Sequence, residues 1–263
     1  MLEVSGLSAS LAGRPILHDI TLRAAPGTVT AIVGPNGSGK TTLLRALTGD
    51  LPYQGAARLN GLEVQGTPAR RMAAIRAVLS QATELAFPFT VDEVVRLGLT
   101  AGVQGAGVPR GGPDLPARAL ERVGLAGYGG RDVQRLSGGE QARVHLARVL
   151  VQVWEPVTDQ GPRWLFLDEP VAALDIGHQL TVMGLARAYA DAGGGVVAVM
   201  HDLNLSAMFA DHIALLLDGR MLAQGAPAEV LTDAHLSRAY GCAVRVNAAP
   251  ARGPWLVPQA MAV

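Results

Sequence analysis

The sequence predicts an α/β fold in which helices cover both faces of a largely parallel β-sheet. Residues 163–167, which are apolar from Trp164 onward, and residues 195–200 fit strands buried on both faces, and each segment is followed by polar residues. Residues 177–192 between them fit a helix that stops at Gly193. A strand, a helix and a strand in this order predict a doubly wound sheet whose functional site lies at the carboxyl edge of the strands.

The N-terminal part predicts a second, smaller sheet. Residues 1–33 alternate short apolar segments with turns, and residues 25–27 (APG) are a turn signal before the apolar run 29–33. Asn60–Gly61 and Asp218–Gly219 are hairpin-type dipeptides. We therefore expect a small antiparallel sheet stacked on the parallel one.

The middle of the chain is predicted to be mainly helical. Thr67 and Pro68 fit the start of a helix that extends to about Val78. Residues 90–93 (TVDE) read as a capping box, residues 102–116 as a loop, and residues 115–123 as a further helix. We interpret 1–263 as a single domain with a core (1–82 and 160–240), a mainly helical insertion (83–159) and a C-terminal tail (241–263).

The segment GPNGSGKTT lies between an apolar run and a helix-like stretch and fits the phosphate-binding pattern G-x-x-x-x-G-K-[ST]. Its glycines allow the backbone N–H groups to converge on phosphates, and the helix that follows adds its partial positive charge. Lys40 is suited to the β- and γ-phosphates, the Thr41 hydroxyl to Mg²⁺, and Thr42 to the α-phosphate. The predicted nucleotide-binding residues here are Gly34, Pro35, Asn36, Gly37, Ser38, Gly39, Lys40, Thr41 and Thr42.

Two acidic residues after a buried strand and a glycine-rich helix start are further candidates for the nucleotide site. Asp168 follows the first buried strand, where it can hold Mg²⁺, and Glu169 beside it can polarise an attacking water. Residues 136–140 (LSGGE) place a serine and glycines at a helix start, where N–H groups can meet a second phosphate. If this second site faces its own phosphate loop, one chain suffices; if it faces outward, two chains must close on the nucleotides.

Composition narrows the class of protein. Lys plus Arg equals Asp plus Glu, which counts against a nucleic-acid partner. The single cysteine, Cys242, allows neither an internal disulfide nor a cysteine metal cluster. We expect no secretory signal, and no apolar run reaches the roughly 20 residues that span a bilayer. These observations favour a soluble cytosolic chain.

With these motifs in place, the chain resembles the nucleotide-binding subunit of an ATP-binding cassette (ABC) transporter over nearly its whole length. Motifs of that family stand here in the family's order: Walker A at 34–41, the Q-loop at Gln81, the signature at 136–140, the Walker B aspartate and catalytic glutamate at Asp168 and Glu169, the D-loop at 173–175 and the switch histidine at His201. The resemblance implies a P-loop NTPase (RecA-like) core with an N-terminal antiparallel β subdomain and an inserted α-helical subdomain. It also implies ATP and Mg²⁺ as cofactors.

The resemblance implies roles for these residues in a head-to-tail homodimer. Ser137, Gly138 and Gly139 of one copy, with Asp175, are expected to meet the nucleotide of the other. The implied catalytic residues are Glu169, His201 and Gln81, and the implied metal ligands are Thr41, Gln81 and Asp168.

The chain departs from the family at a few positions. Leu11 stands where an aromatic residue usually stacks on adenine, so adenine contact is expected to be apolar or through Arg14. Val171 replaces the usual Thr or Ser, and Ser80 a frequent proline. None of these positions supplies a group to phosphate or metal, so we expect active hydrolysis.

Within the family, residues 80–95, 152–162 and 201–208 are most similar to haem (hemin) importer ATPases. This implies partnership with two transmembrane permease subunits at the cytoplasmic face of the bacterial inner membrane and, indirectly, with a periplasmic haem-binding protein. A ferric siderophore or cobalamin importer is the nearest alternative. A non-transport ABC ATPase of DNA repair or translation, and a soluble P-loop kinase, are alternatives of other classes.

Overall fold

A six-stranded sheet forms the centre of the fold. The computed structural model describes residues 1–80, 87–101 and 112–257. In chain order the described strands are β1 (Leu2–Leu11), β2 (Arg14–Ala24), β3 (Val29–Val33), β4 (Gln54–Leu59), β5 (Leu62–Glu63), β6 (Arg76–Leu79), β7 (Val157–Thr158), β8 (Gly161–Pro162), β9 (Trp164–Asp168), β10 (Gly195–Val199), β11 (His212–Leu217) and β12 (Arg220–Gly225). The described helices are α1 (Lys40–Leu47), α2 (Ala69–Ile75), α3 (Val91–Ala101), α4 (Leu115–Arg122), α5 (Gly138–Gln152), α6 (Ile176–Asp191), α7 (Leu203–Phe209), α8 (Pro227–Val230) and α9 (Asp233–Tyr240).

The central sheet has the order β12-β11-β3-β10-β9-β6, parallel except for the edge strand β12. A second sheet, β2-β1-β4-β5, is antiparallel throughout. Both predicted sheets are therefore confirmed, as are the hairpins at Asn60–Gly61 and Asp218–Gly219. The parallel order brings the carboxyl ends of β3, β9 and β10 to one edge of the sheet.

Apolar side chains cover the central sheet on both faces. On β9, Leu165 and Leu167 pack into one hydrophobic cluster, together with residues of α3 to α6. Trp164 and Phe166 point the other way, into a cluster that includes Leu43 of α1 and the buried face of the antiparallel sheet. Because α1 lies between the two sheets, the start of that helix is held on two sides.

The helix predicted to extend from Pro68 to about Val78 is shorter than expected. It ends at Ile75, and Arg76–Leu79 form β6, which pairs in parallel with β9. The half-buried segment gains ladder hydrogen bonds to β9 at the edge of the sheet, and this tertiary pairing overrides the helical continuation. The prediction was wrong because the pairing partner is distant in sequence.

Helices α3, α4 and α5 pack on one another. The predicted capping box is present, since the Thr90 N–H and hydroxyl both donate to Glu93 Oε2 at 2.8 Å. At the far end of α5, the Gln152 amide donates to Ala73 O and Arg76 O at 2.9 and 2.8 Å. The predicted loop 102–116 lies mostly outside the described residues, and the division into core, insertion and tail stays an interpretation. Among the described helices, none is both long and apolar enough to cross a bilayer.

Candidate nucleotide site

The phosphate loop connects β3 to α1, and its glycines are needed for packing as well as for backbone conformation. Gly34 has φ +149°, and a Cβ there would lie 2.2 Å from Leu216 O. Gly39 has φ +98°, and a Cβ there would lie 2.8 Å from the Leu17 side chain. A side chain at either position would push the loop off its neighbours.

Lys40 opens α1, and its side chain turns back into the loop. The ammonium donates to Gly34 O at 2.9 Å and to Pro35 O at 3.0 Å. Burial lowers the pKa of Lys40, and the nearby carboxylates of Glu169 and Asp168 oppose that shift. The Lys40 ammonium is thus held inside the phosphate loop, near the carboxylates of Glu169 and Asp168.

Thr41 and Asp168 meet across the loop. The Thr41 hydroxyl donates to Asp168 Oδ1 at 3.2 Å, and Asp168 is only 6% exposed at the end of β9. Burial raises the pKa of Asp168, against the hydrogen bond from Thr41 and the charge of Lys40. A hydroxyl and a carboxylate side by side are hard oxygen donors, so this pair fits a Mg²⁺ ion.

Glu169 and His201 come together from neighbouring strands. Glu169 follows β9 and His201 follows β10 by two residues, and His201 Nε2 lies 2.5 Å from Glu169 Oε1. The Glu169 backbone has φ +51°, which is uncommon for a residue with a side chain and is held by a hydrogen bond from its N–H to Val199 O. Its carboxylate is only 14% exposed and lies near Lys40.

Lys40, Thr41, Glu169 and His201 line a cavity of about 590 Å³. Of the described residues that line it, Ile16 on β2 has the largest apolar side chain, whereas Leu11 lies outside the lining and is 44% exposed. The adenine contact predicted from the sequence, apolar at Leu11 or through Arg14, stays a prediction, and Ile16 was not among its candidates. The described lining residues are Ile16, Asn36, Gly37, Gly39, Lys40, Thr41, Thr42, Glu169 and His201.

Sequence reasoning also missed Gly219, which joins the phosphate loop to the wall of the cavity. Its N–H donates to Ser38 O at 3.1 Å, and its carbonyl accepts from the His18 N–H at 2.8 Å. A Cβ on Gly219 would lie 1.9 Å from Ile16 O. The turn between β11 and β12 therefore fixes both Ser38 and Ile16. The Asp218–Gly219 hairpin signal was visible in the sequence, but its neighbours were not.

The second anion segment lies elsewhere on the chain. Ser137 caps α5, where its hydroxyl accepts from the Glu140 N–H at 3.3 Å and the Glu140 carboxylate accepts from the Ser137 N–H at 2.8 Å. A Cβ on Gly139 would lie 3.2 Å from Ala173 O, so the segments 137–139 and 173–175 are adjacent. Asp175 caps α6. None of Ser137, Gly138, Gly139 and Asp175 is among the described residues that line the cavity.

Gln81 and two histidines away from the cavity remain to be placed. Gln81 lies outside the described residues. Burial lowers the pKa of His145 to about 4, with Arg148 adding to the shift, so this histidine is neutral near pH 7. His235 Nδ1 lies 3.0 Å from the carbonyl oxygen of Val230, the last residue of α8. The described residues contain no group of three or more His, Cys, Asp or Glu side chains suited to a metal.

A parallel sheet with a phosphate loop, a buried lysine and two strand-end carboxylates around one cavity defines a nucleoside triphosphatase of the phosphate-loop class. The family described as ABC transporter matches residues 17–172. The chain belongs to the ABC transporter family. It binds ATP and is the ATP-hydrolysing subunit of such a transporter.

Curated relatives are similar over almost the full chain. A hemin import ATP-binding protein, HmuV, of Jannaschia sp. is 61% identical and covers 95% of this chain and 91% of its own. The protein of the same name from Roseobacter denitrificans is 60% identical and covers 95% of this chain and 94% of its own. Among solved structures, the dimeric structure of a bacterial ABC transporter cassette has a TM-score of 0.75 at 23% identity, with 86% of this chain and 99% of that chain covered. That likeness supports the fold.

Proposed function

We propose that this chain powers the import of haem through a membrane permease. One observation supports haem as the cargo: the relatives named as hemin import ATP-binding proteins are 60% and 61% identical over 95% of the chain. Because the cargo of an importer passes through the permease, its chemistry leaves no mark on the nucleotide cavity. The ATPase itself sits at the cytoplasmic face of the bacterial inner membrane, held there by two permease subunits. A periplasmic haem-binding protein supplies the cargo.

The residues around the cavity divide the hydrolytic work. The loop 34–42 binds the phosphates through its backbone, and Lys40 neutralises the β- and γ-phosphates. The Glu169 carboxylate accepts the proton of the attacking water, and His201, whose Nε2 contacts Glu169 Oε1, orients that carboxylate. Thr41 and Asp168, with Gln81, would hold a Mg²⁺ ion, which would neutralise charge on the phosphates.

The position of the signature segment favours a site completed by a second copy. Ser137, Gly138 and Gly139 lie at the start of α5, next to Asp175 and outside the described lining of their own cavity. The start of a helix can bind a phosphate that a second copy holds, through its backbone N–H groups and its partial positive charge. In a head-to-tail homodimer these residues therefore meet the γ-phosphate bound by the partner's loop. The dimeric cassette with the same fold is consistent with this arrangement.

Ile16 is expected to hold the adenine ring. Ile16→Ala removes apolar surface from the cavity wall, so we expect the KM for ATP to rise about three- to tenfold with little change in kcat. Leu11→Ala is the matched control, because Leu11 is exposed and outside the described lining. Steady-state phosphate release measures both. An increase for Leu11→Ala but not for Ile16→Ala would return the adenine contact to Leu11.

Growth on defined iron sources tests the cargo. A strain that lacks this gene is expected to fail with haem as the sole iron source and to grow with a ferric siderophore or free iron. The wild-type gene restores growth on haem, and a Glu169→Gln gene does not. Failure on the siderophore with normal growth on haem would reassign the cargo to a ferric siderophore. A growth requirement for cobalamin would instead indicate a cobalamin importer. If the protein does not co-purify with membranes in any condition, a non-transport role would replace the importer.

A further inference from the structure

The carboxylate of Asp175 is fixed by one residue at two points. Its Oδ1 accepts from the backbone N–H of His178 at 2.9 Å, which caps α6. Its Oδ2 lies 2.8 Å from Nδ1 of the same histidine. These bonds hold the pKa of Asp175 below its ordinary value, with a smaller contribution from Arg143. In the second bond Nδ1 is the donor, because an ionised carboxylate can only accept.

Capping alone requires only one of these bonds. Asp202 caps α7 through Oδ1, which accepts from the backbone N–H groups of Asn204 and Leu205, and the described structure gives its Oδ2 no ring partner. At Asp175 the imidazole adds a second anchor that removes the remaining freedom of the carboxylate. Both side chains are exposed, at 69% for Asp175 and 41% for His178, so this anchor lies on a surface rather than in the core.

That surface is continuous with the signature segment. Residues 173–175 lie against Gly139, whose Cβ position is 3.2 Å from Ala173 O and 3.3 Å from the Leu174 side chain. Asp175 therefore belongs to the same face as Ser137 and Gly139. In the proposed dimer this face meets the partner's nucleotide.

We propose that His178 is a positioning residue for assembly of the dimer, holding the Asp175 carboxylate in the orientation that the partner's phosphate loop meets. This role rests on the head-to-tail dimer proposed above. His178 need not touch nucleotide; it acts through Asp175. Because the anchor is a hydrogen bond, a side chain with an uncharged donor at position 178 should replace it.

ATP-driven dimerisation in a hydrolysis-deficient background tests this role. Glu169→Gln, Glu169→Gln/His178→Ala and Glu169→Gln/His178→Gln are compared by sedimentation at increasing protein concentration with saturating ATP. We expect the Ala variant to dimerise about fivefold more weakly and the Gln variant to match the background, because a Gln at the third helical position can still donate to Asp175. Binding of a fluorescent ATP analogue to the monomer should be equal in all three.

Each other outcome overturns a defined claim. Equal dimerisation of all three variants would remove the role of His178 and leave the dimer intact. Equal weakening by Ala and Gln would show that the ring packs rather than donates, which also overturns the proposal. If the Glu169→Gln background does not dimerise with ATP, the proposed dimer fails and the role of His178 fails with it. A weaker monomer affinity for nucleotide in the Ala variant would place the effect in folding of the site instead.

Discussion

Glu169→Gln is expected to lower the ATP turnover number by at least about 100-fold while ATP still binds. The amide has the shape of the carboxylate but accepts a proton far less readily, so the attacking water loses its base. The neighbouring groups that bind phosphate, Lys40 and the loop backbone, are unchanged. Phosphate release measures turnover, and calorimetric titration with ATP measures binding.

The matched control for this change is Glu63→Gln. Glu63 is also a glutamate on a strand, but it lies outside the described cavity lining. Its carboxylate pairs with Arg58 at 3.1 Å on the solvent side of the antiparallel sheet. Because an exposed ion pair contributes little, turnover should stay near the wild-type value. Turnover of Glu169→Gln within about threefold of wild type would exclude Glu169 as the general base.

Gly219→Ala is expected to raise the KM for ATP by about tenfold or more. Gly219 has φ +71°, where an L residue with a side chain costs about 1–2 kcal/mol. Its new Cβ would also lie 1.9 Å from Ile16 O, so the backbone on one or both sides must move. That movement displaces Ile16 from the cavity wall and loosens the bond from Gly219 N–H to Ser38 O. Steady-state kinetics and a melting curve measure the two parts of the effect.

Gly61→Ala is the control that separates the backbone strain of an alanine at positive φ from the displacement of Ile16. Gly61 follows Asn60 in a hairpin turn of the same kind, with φ +78°, and a Cβ there meets nothing within 4 Å. It should lower the melting temperature by several degrees, as about 1–2 kcal/mol predicts, and leave the KM unchanged. Equal KM values for both variants would mean that the turn at Gly219 does not position the nucleotide site.

The residues that sequence alone could predict are those whose chemistry is complete within a short segment. The loop around Lys40 is recognisable because its glycines, lysine and threonine are contiguous. The strand that is buried on both faces is recognisable because residues 164–167 are all apolar. The parallel order then follows from the crossover, and with it the meeting of Glu169 and His201 at one edge.

The features that could not be predicted depend on contacts between segments that are distant in the sequence. Arg76–Leu79 reads as the end of a helix until β9 is there to pair with it. Ile16 lines the cavity, rather than Leu11, because of where β2 passes the phosphate loop. Gly219 reads as an ordinary hairpin glycine until Ile16 is found against it. In each case the local preference is weak and long-range packing decides.

The hydrogen bonds of Gln152 give α5 the geometry of a lever. Its C-terminal end is fastened to the junction of α2 and β6, directly before the segment that contains Gln81, while its N-terminal end carries Ser137. A helix of 15 residues is about 22 Å long, so a rotation of about 10° around Gln152 moves the far end by about 4 Å. That distance exceeds the length of a hydrogen bond. In the proposed dimer, a small tilt at the end held by Gln152 would therefore be enough to make or break the contact of Ser137 with the partner's phosphate.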